Sequence, residues 1–286
     1  MISAGTLYVV ATPIGNLGDI SARAIDTLQG VDLIAAEDTR HSKALLEKIE
    51  VKTPLTSYHD FSDDSVAARL LDKLRQGSSI ALISDAGTPL ISDPGFKLVR
   101  LVREAGIAVI PIPGASAITA ALCVAGLATD RFCFEGFLPS KQGAREQSLT
   151  QLQYELRTIV FYESPHRIEA MLASVVTVFG GRRQVFIARE VTKKFESHFL
   201  GFGSDALAWL QADSDNQRGE FVVIVAGCDK ETQEKQKQEA GLKLALLLES
   251  DMPLKKAVAL ASDATGARKN LLYSAMIEIK NLTQGA

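Results

Sequence analysis

The sequence predicts an α/β protein made of two α/β domains and a small helical extension at its C-terminal end. Three observations support this. Short apolar runs alternate with helix-like segments in the first part of the chain, the apolar runs then come closer together, and the last part contains only helix-like segments. The predicted divisions are 1–115, 116–228 and 229–286.

The first domain contains four short runs that are apolar throughout, and a weaker strand-like run at 55–58. Such runs are typical of strands in a parallel sheet that helices cover on both faces, because neither face of the strand meets water. The runs cover 7–11, 33–36, 55–58, 80–83 and 108–110, and helix-like segments cover 21–28, 42–49, 63–75, 96–104 and 116–124, the last falling at the domain boundary.

The second domain has a different spacing. Predicted strands cover 132–134, 158–162, 185–188, 197–200 and 221–225, and two long helices are predicted around 144–156 and 166–178. The later strands follow one another too closely for a crossover helix between each pair, so a mixed sheet is predicted.

The extension begins with a charged, glutamine-rich stretch, 229–238, which is typical of either a linker or the start of a helix. Helical patterns follow at 242–248, 254–261 and 268–279, with a turn at 263–266. This outline favours a helix-turn-helix or, equally, a helical lid or dimer arm.

Composition limits the class of protein. Apolar residues make up 47% of the 286 residues and charged residues 23%, with a formal net charge of −3. These values exclude whole-chain disorder and a histone-like polycation, but a local basic patch could still bind nucleic acid. The cysteines Cys123, Cys133 and Cys228 form no C-x-x-C pair, so we expect a reducing compartment. The longest apolar stretch, 117–128, is too short for a membrane span, and a cytoplasmic protein is expected.

Three loops follow predicted strands of the first domain, where open α/β sheets bind ligands. They cover 11–19, 84–89 and 111–117, and they contain neither G-x-G-x-x-G nor a Walker lysine. Their small residues and lack of cations favour an adenosine with a neutral or positive tail over a polyphosphate. Each loop taken alone could equally be a tight strand–helix turn.

The motifs in these loops are Thr-Pro-Ile-Gly-Asn at 12–16, Asp-Ala-Gly-Thr-Pro at 85–89 and Pro-Gly-Ala-Ser-Ala at 113–117. In this order, with further blocks at 36–40, 161–167 and 188–193, they resemble the tetrapyrrole methylase-like superfamily of S-adenosylmethionine (SAM) enzymes over about residues 5–228. With the C-terminal helices, the chain is similar to the branch that methylates the 2′-oxygen of a cytidine in small-subunit ribosomal RNA. The resemblance implies SAM in a cleft between two α/β domains, and a homodimer.

The resemblance also implies the residues that contact the cofactor. In the three loops they are Pro13, Gly15, Asp85, Ala86, Gly87, Ser116 and Ala117. From the second domain, Tyr162, Ala188 and Phe221 would close over the adenine.

Basic residues gather in a few short segments, which is the pattern that an RNA phosphate track requires. The candidate RNA contacts are Arg40, Lys43, Arg167, Arg182, Arg183, Arg189, Lys194, Lys255, Lys256, Arg268 and Lys269. The expected partner is ribosomal RNA or the small ribosomal subunit, although solvated helix faces would give a similar pattern. A helix-turn-helix would bring the two basic pairs of the extension near one another.

Methyl transfer to a ribose hydroxyl mainly requires the acceptor oxygen to lie opposite the leaving sulfur, and a base would assist by removing the hydroxyl proton. Glu163, Glu190 and Lys193 are the candidates, and the alternative for Glu163 is a helix-start ion pair with Arg167. The histidines have no metal-ligand spacing, so no metal is expected. A corrin-type small-molecule methylase and a non-catalytic RNA-binding module remain as alternative functions.

Overall fold

The computed structural model describes residues 2–59 and 64–284. Its first half is a five-stranded, all-parallel sheet in the order β3-β2-β4-β1-β5. The strands are β1 (Thr6–Val10), β2 (Leu33–Ala36), β3 (Leu55–Ser57), β4 (Ile80–Ile83) and β5 (Ala108–Ile112). The helices are α1 (Ala22–Gly30), α2 (Thr39–Lys48), α3 (Asp64–Arg75) and α4 (Phe96–Glu104). The predicted start of α3, at Asp63, lies outside the described residues.

Two apolar cores, one on each face, cover this sheet. Val10, Ile34 and Leu28 belong to one core, whereas Leu7 and Leu82 belong to the other. Neighbouring residues of β1 therefore point into opposite cores, and neither face is left to water. This explains why the inner strands β2 and β4 are apolar throughout, and the parallel pairing confirms the predicted parallel sheet.

The second half forms a mixed sheet in the order β6-β7-β10-β8-β9, as predicted. Only β6 and β7 are parallel, and the other neighbours are antiparallel. The elements are α5 (Ala117–Val124), β6 (Phe132–Phe137), α6 (Gln142–Gln151), β7 (Thr158–Glu163), α7 (Ile168–Phe179), β8 (Gln184–Arg189), β9 (Ser197–Phe202), α8 (Gly203–Ala212) and β10 (Phe221–Val225).

Two features of this half differ from the sequence expectation. Helix α6 ends at Gln151 instead of continuing to 156. Helix α8 was not predicted, and it forms because Ala206 and Leu210 bury their side chains in the core on one face of the mixed sheet. Helix α5 packs on the opposite face of that sheet, through residues such as Ile118 and Leu122.

The C-terminal extension consists of α9 (Lys230–Glu249), α10 (Leu254–Thr265) and α11 (Lys269–Gln284). These helices share a core of their own, which includes Ala245, Val258 and Met276. Asp229 caps α9 by accepting a hydrogen bond from the Thr232 amide at 2.8 Å. The stretch 229–238 is therefore the capped start of a long helix and not a linker.

The two basic pairs of the extension do not meet at its turn. Lys255 and Lys256 lie in the first turn of α10, whereas Arg268 and Lys269 follow its last turn. Since an α-helix rises 1.5 Å per residue, the pairs are separated by roughly 15 Å or more along the helix axis. The expectation that the turn brings them together is wrong, because the turn joins the end of α10, and not its start, to α11.

Among the described helices, none combines the length and the apolar character that a membrane crossing demands.

Candidate active site

Hydrogen bonds join the three loops at the carboxyl ends of the parallel strands into one unit. The Thr12 amide donates to the Gly87 carbonyl at 2.8 Å, and the Gly87 amide returns a bond to the Thr12 carbonyl at 3.1 Å. The Thr88 hydroxyl donates to the Ala115 carbonyl at 3.0 Å. The loop after β4 is thus tied to the loop after β1 on one side and to the loop after β5 on the other.

A cavity of about 380 Å³ lies between these loops and one edge of the mixed sheet. The first half contributes Ile14, Ala86, Gly87, Thr88, Ile91, Ser92, Asp93, Ser116 and Ala117. The second half contributes Phe137, Tyr162, Glu163, Ser164, Pro165, Val191, Lys193, Glu220, Phe221 and Val222. Its volume and its mainly apolar walls suit a small organic ligand.

The cavity walls include most of the cofactor residues that the resemblance implied. Those that line it are Ala86, Gly87, Ser116, Ala117, Tyr162 and Phe221, while Pro13, Gly15, Asp85 and Ala188 lie outside the lining. Ala188 is paired in register with Val222, which does line the cavity. The Asp85 carboxylate accepts the Asp38 amide at 3.0 Å, so it links the loops after β2 and β4.

Lys193 fills the space beside Gly15. A Cβ at Gly15 would lie 2.3 Å from Cγ of Lys193, a distance that real side chains do not reach. Because Lys193 belongs to the second half of the chain, this glycine allows the two halves to approach each other at the cavity. In this structure the space that glycine leaves at position 15 is used by a side chain of the protein itself.

The Lys193 ammonium is held by two carboxylates. Its Nζ lies 2.9 Å from Glu190 and 2.9 Å from Glu220. Burial by itself would raise the pKa of Glu190, but the Glu220 amide and Lys193 outweigh it, and the pKa of Glu190 is lowered. Burial likewise opposes charge on Lys193, yet its bonds to Glu220 and Glu190 raise its pKa. Glu190 and Lys193 are therefore both charged near neutral pH.

Glu163 lies at the end of β7 with a side chain that is fully buried. Its Oε1 accepts the Ser164 amide at 2.8 Å and lies 3.4 Å from Nε of Arg167, while Arg167 also donates to the Leu138 carbonyl. Its Oε2 is buried and has no hydrogen-bond partner. The helix-start ion pair is therefore present, and the second oxygen has no hydrogen-bond partner within the described residues.

Asp93 is a cavity residue that the sequence argument missed. Burial raises its pKa to about 6, and the nearby Glu37 and Asp85 act in the same direction, while a hydrogen bond with Ser84 opposes them. The length of the segment 84–95 could have pointed to it. This segment connects β4 to α4, and connections of that length between a strand and a helix are unusual and often functional. The same neighbourhood raises the pKa of Tyr162 to about 12, through burial and then through Asp93.

Backbone strain is concentrated around the cavity. Of the five described non-glycine residues with positive φ, four lie in its loops, namely Leu90, Ser92, Glu190 and Thr192. Such conformations persist only where the surroundings enforce them, and they are common at functional sites.

Three of the candidate RNA-binding arginines donate their hydrogen bonds within the protein. Arg183 donates to the carbonyls of Ala226 and Gln153, at 3.0 and 2.8 Å. Arg189 is buried and donates to the carbonyls of Arg218 and Phe195, at 2.6 and 2.9 Å. Together with Arg167, these side chains fix loops and have fewer donors left for a phosphate. The exposed candidates are Arg40, Lys43, Arg182, Lys194, Lys255, Lys256, Arg268 and Lys269.

No group of three or more histidine, cysteine, aspartate or glutamate side chains in 2–59 and 64–284 is arranged to hold a metal ion.

Comparison with protein families gives two matches. Residues 6–207 match the family described as tetrapyrrole (corrin/porphyrin) methylases. Residues 238–280 match the RsmI C-terminal HTH domain. The first match includes both sheets up to α8, and the second includes most of the three C-terminal helices.

Several curated relatives are similar over nearly the whole chain, and each is named ribosomal RNA small subunit methyltransferase I. The relative from Pseudomonas aeruginosa is 50% identical over 97% of this chain and 98% of its own length. The Escherichia coli O157:H7 relative is 48% identical over 96% of each chain. The Haemophilus influenzae relative is 50% identical over 94% of this chain and 95% of its own.

Solved structures share the fold at low sequence identity. Cobalt precorrin-4 methyltransferase aligns with a TM-score of 0.57 at 15% identity, covering 78% of this chain and 95% of that one. Diphthine synthase aligns with a TM-score of 0.58 at 13% identity, over 77% and 90%. Uroporphyrin-III C-methyltransferase from Thermus thermophilus, complexed with S-adenosylhomocysteine, aligns with a TM-score of 0.53 at 15% identity, over 77% and 97%.

The Asp93 carboxyl should make stability depend on pH. Because the folded protein holds its proton more tightly than the unfolded chain, with a pKa near 6 against 3.8, its stabilising contribution is complete below about pH 4 and is lost as pH rises through 6. Urea unfolding from pH 4 to 7 should therefore show the wild type losing stability relative to Asp93→Asn. The Ser84 hydroxyl stabilises the ionised Asp93 carboxylate. Ser84→Ala should therefore raise the pKa of Asp93 further and move the loss of stability to higher pH. Parallel wild-type and Asp93→Asn profiles would contradict the assignment.

Proposed function

The chain belongs to the tetrapyrrole (corrin/porphyrin) methylase family, and from that membership we propose that it transfers a methyl group from SAM to the 2′-oxygen of a cytidine ribose in small-subunit ribosomal RNA. The match to ribosomal RNA methyltransferases over 94–97% of the chain is the observation that carries this proposal. The small-molecule methylases align over only 78% of it. The C-terminal helices therefore favour the ribosomal RNA enzymes over the corrin-type alternative.

The cavity fits SAM in size and in charge. SAM supplies a methyl group on a positively charged sulfur, which is already activated for displacement. Lys193 is the single cation among the lining residues, and Glu190 and Glu220 balance its charge. Glu163 is paired with Arg167, so Asp93 is the lining carboxyl that adds negative charge. Such walls favour a cation and disfavour a polyphosphate. The small side chains of Ala86 and Ala117, with Gly87 and Ser116, leave the cavity open along the first half.

We propose that SAM is held by the lining residues that the resemblance implied, namely Ala86, Gly87, Ser116, Ala117, Tyr162 and Phe221. Pro13, Gly15, Asp85 and Ala188 stay in the proposal as residues that shape the loops and strand directly behind this lining.

Glu163 is the proposed acceptor for the hydroxyl proton of the ribose. Among the three candidates, it is the one that both lines the cavity and has a carboxylate oxygen without a hydrogen-bond partner. Glu190 is occupied by Lys193 and the Glu220 amide, at 2.9 and 2.8 Å. Lys193 is protonated and therefore cannot accept a proton. We propose that the Glu190–Lys193 pair instead holds the second half against loop 11–19 and so keeps the acceptor aligned.

The exposed cations form the proposed RNA track. Arg40 and Lys43 lie on α2 at the carboxyl edge of the parallel sheet, and Lys194 follows directly after the cavity residue Lys193. We also propose that the protein is a homodimer, with half-exposed Val124 and Leu200 available to a second copy, and that it acts in the cytoplasm, where ribosomal RNA would be its substrate.

The function is tested by incubating the protein with tritiated SAM and three acceptors, namely protein-free 16S ribosomal RNA, assembled small subunits and a tetrapyrrole precursor. Label is expected in ribosomal RNA, alone or within the subunit, and alkaline hydrolysis should leave the modified linkage intact because a 2′-O-methyl group blocks it. Label in the tetrapyrrole alone would support the corrin-type function, and RNA binding with no labelled acceptor would support a non-catalytic binding module.

The Glu163→Gln variant should lose most of its turnover and keep its affinity for SAM. General-base catalysis contributes about 100-fold or more, so kcat for RNA methylation should fall by at least about that factor. Glu169→Gln is the matched control, because Glu169 is an exposed glutamate on the next helix, and its kcat should stay within about twofold. A Glu163→Gln enzyme with normal kcat would remove Glu163 from the mechanism.

Neutralising the basic pairs of the extension should weaken the dependence of RNA binding on salt. Each lost phosphate contact lowers the slope of log K against log salt by about 0.7 to 0.9, so Lys255→Gln/Lys256→Gln and Arg268→Gln/Lys269→Gln should each flatten it while SAM affinity is unchanged. Lys73→Gln/Arg75→Gln is the control, because this pair lies at the opposite end of α3 from the cavity edge. If neither extension pair changes the slope, the extension serves packing and not RNA docking.

A further inference from the structure

Two exposed phenylalanines lie at the edge of the mixed sheet that borders the cavity. Phe137 ends β6 with 53% of its surface exposed, and it also lines the cavity. Phe195 precedes β9 and is 63% exposed. A large aromatic side chain with that much exposure is not explained by the core, because neither ring belongs to a buried cluster.

The sheet register places Phe137 at one end of a row of residues whose other end lies near Phe195. Across the sheet, Phe137 pairs with Tyr162, and the same row continues through Val222 and Ala188 to His198. At about 4.8 Å per neighbouring strand, the row is roughly 19 Å long. Phe195 lies in the connection between β8 and β9, near the His198 end of the row, where its carbonyl accepts a hydrogen bond from Arg189 at 2.9 Å. Tyr162 and Val222, between them, line the cavity.

Local structure fixes Phe137 in its exposed position. The β6–β7 register shifts between Phe134 and Phe137, and Gly136 in this bulge has a φ of 65°, which a side chain would strain. The Phe137 ring stands edge-on to Tyr162 with 5.7 Å between centroids. The carbonyl of the next residue, Leu138, is held by Arg167. The bulge thus presents a ring at the cavity mouth and holds its backbone there.

Charge at the other ring fits an anionic polymer. Nζ of Lys194 lies 5.5 Å from the centroid of the Phe195 ring, and Lys194 is exposed. The neighbouring carboxylate of Glu196 is engaged by His198 and by the Thr192 amide. Proteins bind single-stranded nucleic acid with this combination of an exposed cation and an exposed ring. The cation contacts the phosphate, and the base stacks on the ring.

We propose that Phe137 and Phe195 are base-stacking platforms for single-stranded RNA, which lies across this edge of the mixed sheet. Phe137 stacks on the base whose ribose enters the cavity, and Phe195, with Lys194, holds a nucleotide on the far side. The inference rests on the proposed function for the identity of the reacting nucleotide, and it names the residues that make the site select RNA over a small acceptor. Stacking tolerates any base, so these rings position the strand and do not read its sequence.

The chain offers matched controls on the same strands. Phe132 lies at the opposite end of β6 and is 43% exposed, and Phe202 lies at the opposite end of β9 and is 42% exposed. Both are at the sheet edge away from the cavity. Alanine variants of Phe132 and Phe202 therefore remove a comparable exposed ring without touching the proposed track.

The first measurement uses the full-length protein and a cytidine-centred oligoribonucleotide that carries a fluorescent base analogue beside that cytidine. Binding should quench the analogue through stacking, and Phe137→Ala and Phe195→Ala should each lose quenching and weaken binding by at least about fivefold. Phe137→Tyr and Phe195→Tyr should restore both, whereas Phe132→Ala and Phe202→Ala should behave as wild type. Equal loss in the controls, or no RNA binding by the wild type, would overturn the proposal.

The second measurement separates this proposal from the proposed function. In the tritiated-SAM assay, Phe195→Ala should raise KM for RNA while leaving SAM affinity by calorimetry and the mass by light scattering unchanged. Normal KM in both alanine variants of an enzyme that methylates RNA would overturn the stacking platforms and leave the function standing. If the wild type transfers no methyl group but its quenching is lost in the alanine variants, the proposed function would be wrong and the stacking platforms would stand. A Phe195→Ala protein of half the wild-type mass would assign that ring to contact between two copies, against the proposal.

Discussion

The antiparallel insertion of β10 between β7 and β8 is the constraint on which the second wall of the cavity depends. It sets the start of β10 against the ends of both neighbours, so that Phe221 is paired with Glu163 on one side and Arg189 on the other. If β10 ran parallel to β7, its first residues would pair with the start of β7 instead of its end. They would then lie about four residues away from the cavity, at the opposite ends of the strands. Glu220 would then be out of reach of Lys193, and the ammonium would keep only one of its two carboxylate partners.

Buried charge at the cavity is arranged in two different ways. The partly buried Lys193 and Glu190 pair with each other and with the exposed Glu220 through short bonds, which offset the cost of removing the first two from water. Oε2 of Glu163 has no hydrogen-bond partner, and burial outweighs the bond from Ser84 and raises the pKa of Asp93 to about 6. The first group therefore joins the two halves, while Asp93 carries a negative charge in the cavity above about pH 6.

The basic residues also fall into two groups, those bonded within the protein and those exposed to solvent. Arg167, Arg183 and Arg189 have planar guanidinium groups with several donors, and they use them to hold loop carbonyls. The exposed lysines have no such role in the fold. A count of cations in the sequence includes both the arginines that hold loops and the exposed lysines. Only the arginines are accounted for by a contribution to the stability of the fold.

The sequence by itself determined the two sheets, the helical extension and the three loops at the strand ends, because apolar runs and their spacing depend on local chain geometry and burial. It also indicated Glu163, Glu190 and Lys193, but it could not separate their roles. Only the tertiary structure decided that Lys193 lies against Gly15, that Asp93 lies in the cavity and that α8 forms on the mixed sheet. The reason is physical: these features arise from contacts between residues distant in the chain, and the strand pairing that creates them leaves no periodic pattern in the sequence.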